Sequence, residues 1–85
     1  MKSAVAPPSD ADPGVLDRLK AWSLGRARAQ GVPAFVILRD ATLLEIATTL
    51  PQTMAQLLTV SGIGAHKAET YGAELLAEVR VAGHA

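Results

Sequence analysis

The residues best placed to do chemistry lie between Leu57 and Tyr71, where Gly62-Ile63-Gly64 interrupts an apolar run and Lys67 follows three residues later. Two glycines around one aliphatic residue permit a tight reversal with positive φ, and Ile63 can point inward to pin that turn to a core. A helix opening at Ala65 leaves its first backbone N–H groups without intrahelical partners, at the positive end of its dipole. Gly62, Gly64 and Lys67 could therefore hold a phosphate. The same residues could equally make nothing more than a close corner between two helices. Nothing else in the sequence has catalytic spacing: there is no phosphate-binding P-loop, no carboxylate cluster at metal-ligand spacing and no Ser/His/Asp set. The sequence thus predicts a binding module with no catalytic residues, no cofactor and no metal.

Charge says what such a module can bind. Eight basic and eight acidic residues give a net charge of zero, which argues against the indiscriminate nucleic-acid binding that rests on many neutralised phosphates. The charges are unevenly spread, however. Residues 1–40 hold six basic residues (Lys2, Arg18, Lys20, Arg26, Arg28, Arg39) against four acidic ones, whereas residues 41–85 hold Lys67 and Arg80 against Glu45, Glu69, Glu74 and Glu78. The expectation is a two-faced domain, basic along its first helix and acidic along its last, whose faces either serve two partners or are simply solvated.

The elements that must position these groups follow from composition and periodicity. Eighty-five residues, 49% hydrophobic and 19% charged, make one small folded domain. With no cysteine there is no disulfide framework, and His66 and His84 are too far apart to form a local metal motif. Ala4-Val5-Ala6 is too short for a secretory segment, and nothing approaches the ~20 apolar residues of a membrane span. A cytoplasmic protein with no membrane partner is expected. Residues 1–14, rich in Pro and small polar residues, read as a flexible linker that suggests attachment to a larger protein.

From Val15 to about Gln30 the spacing of Leu16, Leu19, Trp22, Ser23 and Ala27 predicts an amphipathic helix stopped by Gly31 and Pro33, with Trp22 as core anchor or exposed stacking platform. The apolar run Val32 to Leu38 has no strand-like partner, so it reads as an extended or 3₁₀ connector. Phe35 within it either fills the core or stacks on a nucleobase. Asp40 is a candidate N-cap, with Thr42 and Glu45 as a competing capping box. Pro51 ends that helix, and a box of Thr53 and Gln56 opens a short one with Met54, Leu57 and Leu58 inside. The last helix runs from Ala65 to about Val81. Gly72 in its middle costs ~1 kcal/mol relative to Ala, which implies close approach of another helix. Four to five helices in an all-α bundle result, spanning 15–81, with 82–85 as a tail.

In order and spacing these residues resemble the HRDC domain, the helical module named for its place at the C-terminal ends of RecQ-type DNA helicases and of RNase D. The matching residues are Leu19-x-x-Trp22, Ala27, Val32-Pro33-Ala34-Phe35-Val36, Asp40-x-x-Leu43-x-x-Ile46-Ala47, Leu50-Pro51, Leu57-x-x-Val60-x-Gly62-Ile63-Gly64, Lys67, Tyr71-Gly72 and Leu75-Leu76. The resemblance implies a non-catalytic, monomeric accessory domain that binds single-stranded or branched DNA weakly and modulates the helicase core of the same polypeptide. It also implies Phe35 as the stacking residue, with Lys20, Arg26, Arg28, Arg39 and Lys67 on phosphates. Two departures lower the expected affinity: Ser23 stands where the family commonly has a basic residue, and the last helix is acidic at Glu69, Glu74 and Glu78. Those glutamates imply an alternative, an inter-domain regulatory surface. The RNA-binding accessory domain of an RNase D-like nuclease is a third reading.

Overall fold

The computed structural model describes residues 11–83, so most of the expected linker, together with His84, lies outside the described residues. Five helices follow one another: α1 Pro13–Gln30, α2 Ala34–Ile37, α3 Asp40–Thr49, α4 Met54–Leu57 and α5 Ala65–Gly83. There is no strand among the described residues, and the all-α bundle expected from the sequence is what forms. No helix of the described residues is long and apolar enough to cross a membrane.

Helix α1 starts two residues earlier than its periodicity indicates, because the carboxylate of Asp12 accepts from the N–H groups of Gly14 (2.9 Å) and Val15 (3.1 Å) while Pro13 takes the first helical position. The Asp12 N–H donates to Ala47 O at 3.0 Å, tying this start to the end of α3. The helix stops at Gly31, in the left-handed region at φ 70°, with Val32 N–H reaching back to Ala27 O.

The connector after α1 is a single α-helical turn rather than an extended or 3₁₀ segment: Leu38 N–H closes an α-type bond to Ala34 O at 3.3 Å. Extended residues at Pro33 and Leu38 flank that turn. Neither cap expected for α3 forms. Arg39 occupies the cap position, Asp40 sits in the first turn where its charge suits the helix dipole, and Thr42 and Glu45 turn instead toward Ser61. Pro51 does end α3, and Leu50 before it caps the helix in the left-handed region at φ 50°, its N–H still bonded to Ile46 O. The Thr53 cap on Gln56 N–H is present (3.1 Å), whereas the Gln56 side chain accepts from Gln52 N–H.

Helix α1 packs on α2, α3 and α5, and α4 packs on α5. Its buried row, Val15, Leu19, Ser23 and Ala27, meets Ile46 and Ala47 of α3, Leu57 of α4 and Leu75 and Val79 of α5 in one core. Each fully buried Leu or Val there contributes roughly 1.5–3 kcal/mol. Of the three apolar residues expected inside α4, Leu57 alone is buried; Met54 and Leu58 are exposed. Helices α1 and α5 run antiparallel, since Arg18, Trp22 and Gln30 on α1 meet Glu78, Glu74 and Tyr71 on α5 in that order.

Candidate functional site

Phe35 lies on the outer side of α2 and is 67% exposed, the most exposed of the large hydrophobic side chains described. Of the two readings of this residue, core filling is therefore ruled out. Val36 beside it and Leu24 on α1 are also exposed. So short a helix cannot hold itself, because one turn fixes several dihedrals for one hydrogen bond. Two neighbours hold it instead. Ser23 Oγ on α1 donates to Ala34 O at 3.4 Å, and Lys67 Nζ on α5 donates to Ile37 O at 2.8 Å and Val36 O at 3.4 Å. Ile37 and Leu38 anchor the segment in the core.

The basic residues named from sequence divide into two groups. Lys20, Arg28 and Arg39 are exposed and make no ion pair among the described residues. Lys20, Leu24 and Arg28, four residues apart in turn, form one exposed row of α1. Arg26 is occupied. Its guanidinium lies 5.4 Å from the Tyr71 ring centroid, its Nη2 is 3.5 Å from Glu74 Oε2, and its Nε is buried with no hydrogen-bond partner. Lys67 points at carbonyls of α2 as described above.

The basic and acidic helices do not occupy opposite flanks, which corrects the two-faced expectation. They are packed against each other, and their charges meet across the seam. Arg18 Nε lies 2.8 Å from Glu78 Oε1, and Trp22 Nε1 donates to Glu74 Oε1 at 2.8 Å. Trp22 is thus neither a fully buried anchor nor a free platform: half-buried, it meets the Tyr71 ring edge to face with centroids 5.4 Å apart. The Tyr71 hydroxyl accepts from Gln30 Nε2 at 2.8 Å. Of the three glutamates named for an acidic face, Glu74 and Glu78 are turned to α1, and Glu69 remains exposed.

At the Gly-Ile-Gly turn the two glycines have different reasons. Gly62 has φ 92°, and a Cβ there would sit 2.3 Å from Thr42 Oγ1, whose hydroxyl donates to Ser61 O at 3.0 Å. Gly64 has neither positive φ nor a neighbour within 4 Å of a Cβ. Ile63 is buried, as expected of the residue that pins the turn. Next to this corner Met54, Leu58, Ala65, Ala68 and Glu69 line a shallow groove of about 180 Å3. Exposure of Leu24, Val36, Met54 and Leu58 is not legible in the sequence, because apolar periodicity marks a helix face without saying how much of it a neighbour covers. Ser23, a polar residue on the buried row of α1, is the one available signal for the α2 contact.

Comparison with known proteins gives a consistent picture. A family profile described as HRDC domain matches residues 12–79. The ATP-dependent DNA helicase UvrD2 of Mycobacterium tuberculosis (strain H37Rv) is 46% identical over 72 residues, 85% of this chain and 10% of the helicase. The ATP-dependent DNA helicase RecQ of Pasteurella multocida is 35% identical over 75 residues, 84% of this chain and 12% of that protein. The chain therefore spans about a tenth of the length of these curated relatives. Among solved structures, D. radiodurans RecQ HRDC domain 3 superposes with a TM-score of 0.76 at 28% identity, covering 89% of this chain and 95% of its own.

Proposed function

The chain belongs to the HRDC domain family, and from that premise we propose that it is a non-catalytic accessory domain of an ATP-dependent DNA helicase, binding single-stranded or branched DNA weakly and modulating the helicase core. The observation that carries this is the 67% exposure of Phe35 on a turn held from both sides. Phe35 is exposed together with Val36 beside it and Leu24 on α1, and a nucleobase offers a flat face for stacking irrespective of sequence. Lys20, Arg28 and Arg39 supply the phosphate contacts, and three cations neutralise few phosphates, so binding is weak and only moderately salt-dependent. Helicase rather than nuclease is favoured because the relatives that match are named as DNA helicases.

The test is a titration of labelled single-stranded DNA at low and moderate salt with the unmodified chain and with Phe35→Ala. Binding weakened by ~1–3 kcal/mol in the variant supports the proposal; equal binding by both, or none by either, overturns it. A contact with the helicase core is favoured at a second place, the apolar groove beside exposed Glu69. Glu69→Lys should then change the parent helicase's activity while leaving DNA binding by this domain intact.

A further inference from the structure

Lys67 has a stronger claim on the backbone of α2 than on a ligand, and this bears on how Phe35 is presented. We infer that Lys67 is a positioning residue: its ammonium clamps the C-terminal carbonyls of α2 and thereby fixes the turn from which Phe35 projects. The inference rests on the reading of Phe35 as the stacking residue.

Three observations converge. First, Lys67 Nζ lies 2.8 Å from Ile37 O and 3.4 Å from Val36 O, two of the carbonyls that a four-residue helix cannot satisfy internally. A cation at a helix C-terminus also meets the negative end of its dipole. Second, α2 has no side-chain cap at its N-terminus, so besides the weak 3.4 Å contact from Ser23 the Lys67 clamp is its main polar attachment to the bundle. Third, Lys67 is half-buried in the first turn of the long helix α5, which is anchored through Ala68, Tyr71 and Leu75. Its stem is thus carried by a rigid element, while Phe35 rides on a segment that would otherwise fray.

The consequence for binding is entropic. A stacking residue already fixed in place loses less conformational freedom when a base arrives than one on a loose loop. Removing the clamp should lower affinity without removing any phosphate contact. A lysine that touched phosphate would behave differently, because each phosphate contact removed from a single strand lowers the salt slope by about 0.7.

The experiment compares the full chain with Lys67→Met, using an oligothymidine of about 15 nucleotides titrated at several salt concentrations. Amide hydrogen exchange of Val36 and Leu38 is followed without DNA. The expected result is binding weakened roughly three- to tenfold, an unchanged slope of log affinity against log salt, and faster exchange at both amides. A slope lowered by about 0.7, or exchange unchanged from the parent chain, overturns the inference. If the parent chain fails to bind oligothymidine, the stacking reading falls, and the exchange measurement still supports or overturns the clamp. Should Lys67→Met not fold, the order parameter of the Lys67 ammonium in the unmodified chain decides: a restricted group supports the clamp, and a freely rotating one overturns it.

Discussion

Trp22 and Glu74, 52 residues apart in the chain, are joined by an indole N–H to carboxylate hydrogen bond of 2.8 Å that closes the seam between α1 and α5. The same carboxylate faces Arg26, which in turn lies over Tyr71. One glutamate thus satisfies an indole donor and balances a guanidinium that has left part of its hydration behind.

Reversal of Glu74 should therefore act on stability before it acts on any partner. Glu74→Lys removes the acceptor for the half-buried Trp22 N–H, at a cost of about 2 kcal/mol, nearly all of it from that lost bond, because the Arg26 pair is 38% and 43% exposed and screened by water. Glu78→Lys costs less, about 0.5–1 kcal/mol, because Arg18 opposite it is 47% exposed and water screens the pair. Urea denaturation followed by Trp22 fluorescence reads both values; equal stability of Glu74→Lys and the parent chain would contradict the seam described above.

The two glycines of the turn should respond in opposite ways to one methyl group. Gly62→Ala meets Thr42 Oγ1 and a positive φ together, and should destabilise by about 2 kcal/mol or more. Gly64→Ala meets nothing and should change stability by less than about 0.5 kcal/mol. Thermal melts of both variants check this, and weaker DNA binding by a fully stable Gly64→Ala would show that a ligand needs the backbone to come close there.

Gly72 is explained by a neighbour that can move. A Cβ at this position would sit 2.7 Å from Met54 Cε and 2.8 Å from its Sδ, the far end of a flexible and exposed side chain. Gly72→Ala alone should be near neutral, since the better helix propensity of alanine offsets the cost of pushing the Met54 side chain aside. In a Met54→Ala background the same change should gain roughly 0.5–1 kcal/mol. A double-mutant cycle by denaturant titration measures the difference, and identical effects in both backgrounds would remove Met54 as the reason for the glycine.

Neutralising Lys20, Arg28 and Arg39 one at a time should weaken binding to single strands and lower the salt slope by about 0.7 each. Arg26→Gln should instead lower stability with little change in slope, because its guanidinium is engaged with Tyr71 and Glu74. Parallel titrations and melts separate the two classes of arginine.

The helices are legible in the sequence wherever a local device marks them: Gly31 at the end of α1, Pro51 after α3, Thr53 at the start of α4. The capping box expected of Thr42 and Glu45 does not form because tertiary demand wins. Thr42 and Glu45 serve Ser61 in the turn 16 to 19 residues on, and no local rule registers such a partner. The exposure of Phe35 is one of two readings open in the sequence, since a four-residue segment has no periodicity to choose between them. Charge pairing across α1 and α5 is hidden for a simpler reason: the sequence shows unlike blocks but not which helices are neighbours.

The antiparallel run of α1 and α5 brings Asp12 and Ala82 to one pole of the molecule, whereas the Phe35 turn, reached by Lys67 from the first turn of α5, lies toward the other. Eighteen residues of α1 set a span of about 27 Å along that axis. The two described ends of the bundle therefore share a pole, remote from the aromatic turn. Whatever meets Phe35 can thus approach from the pole opposite Asp12 and Ala82, where neither described terminus stands in its way.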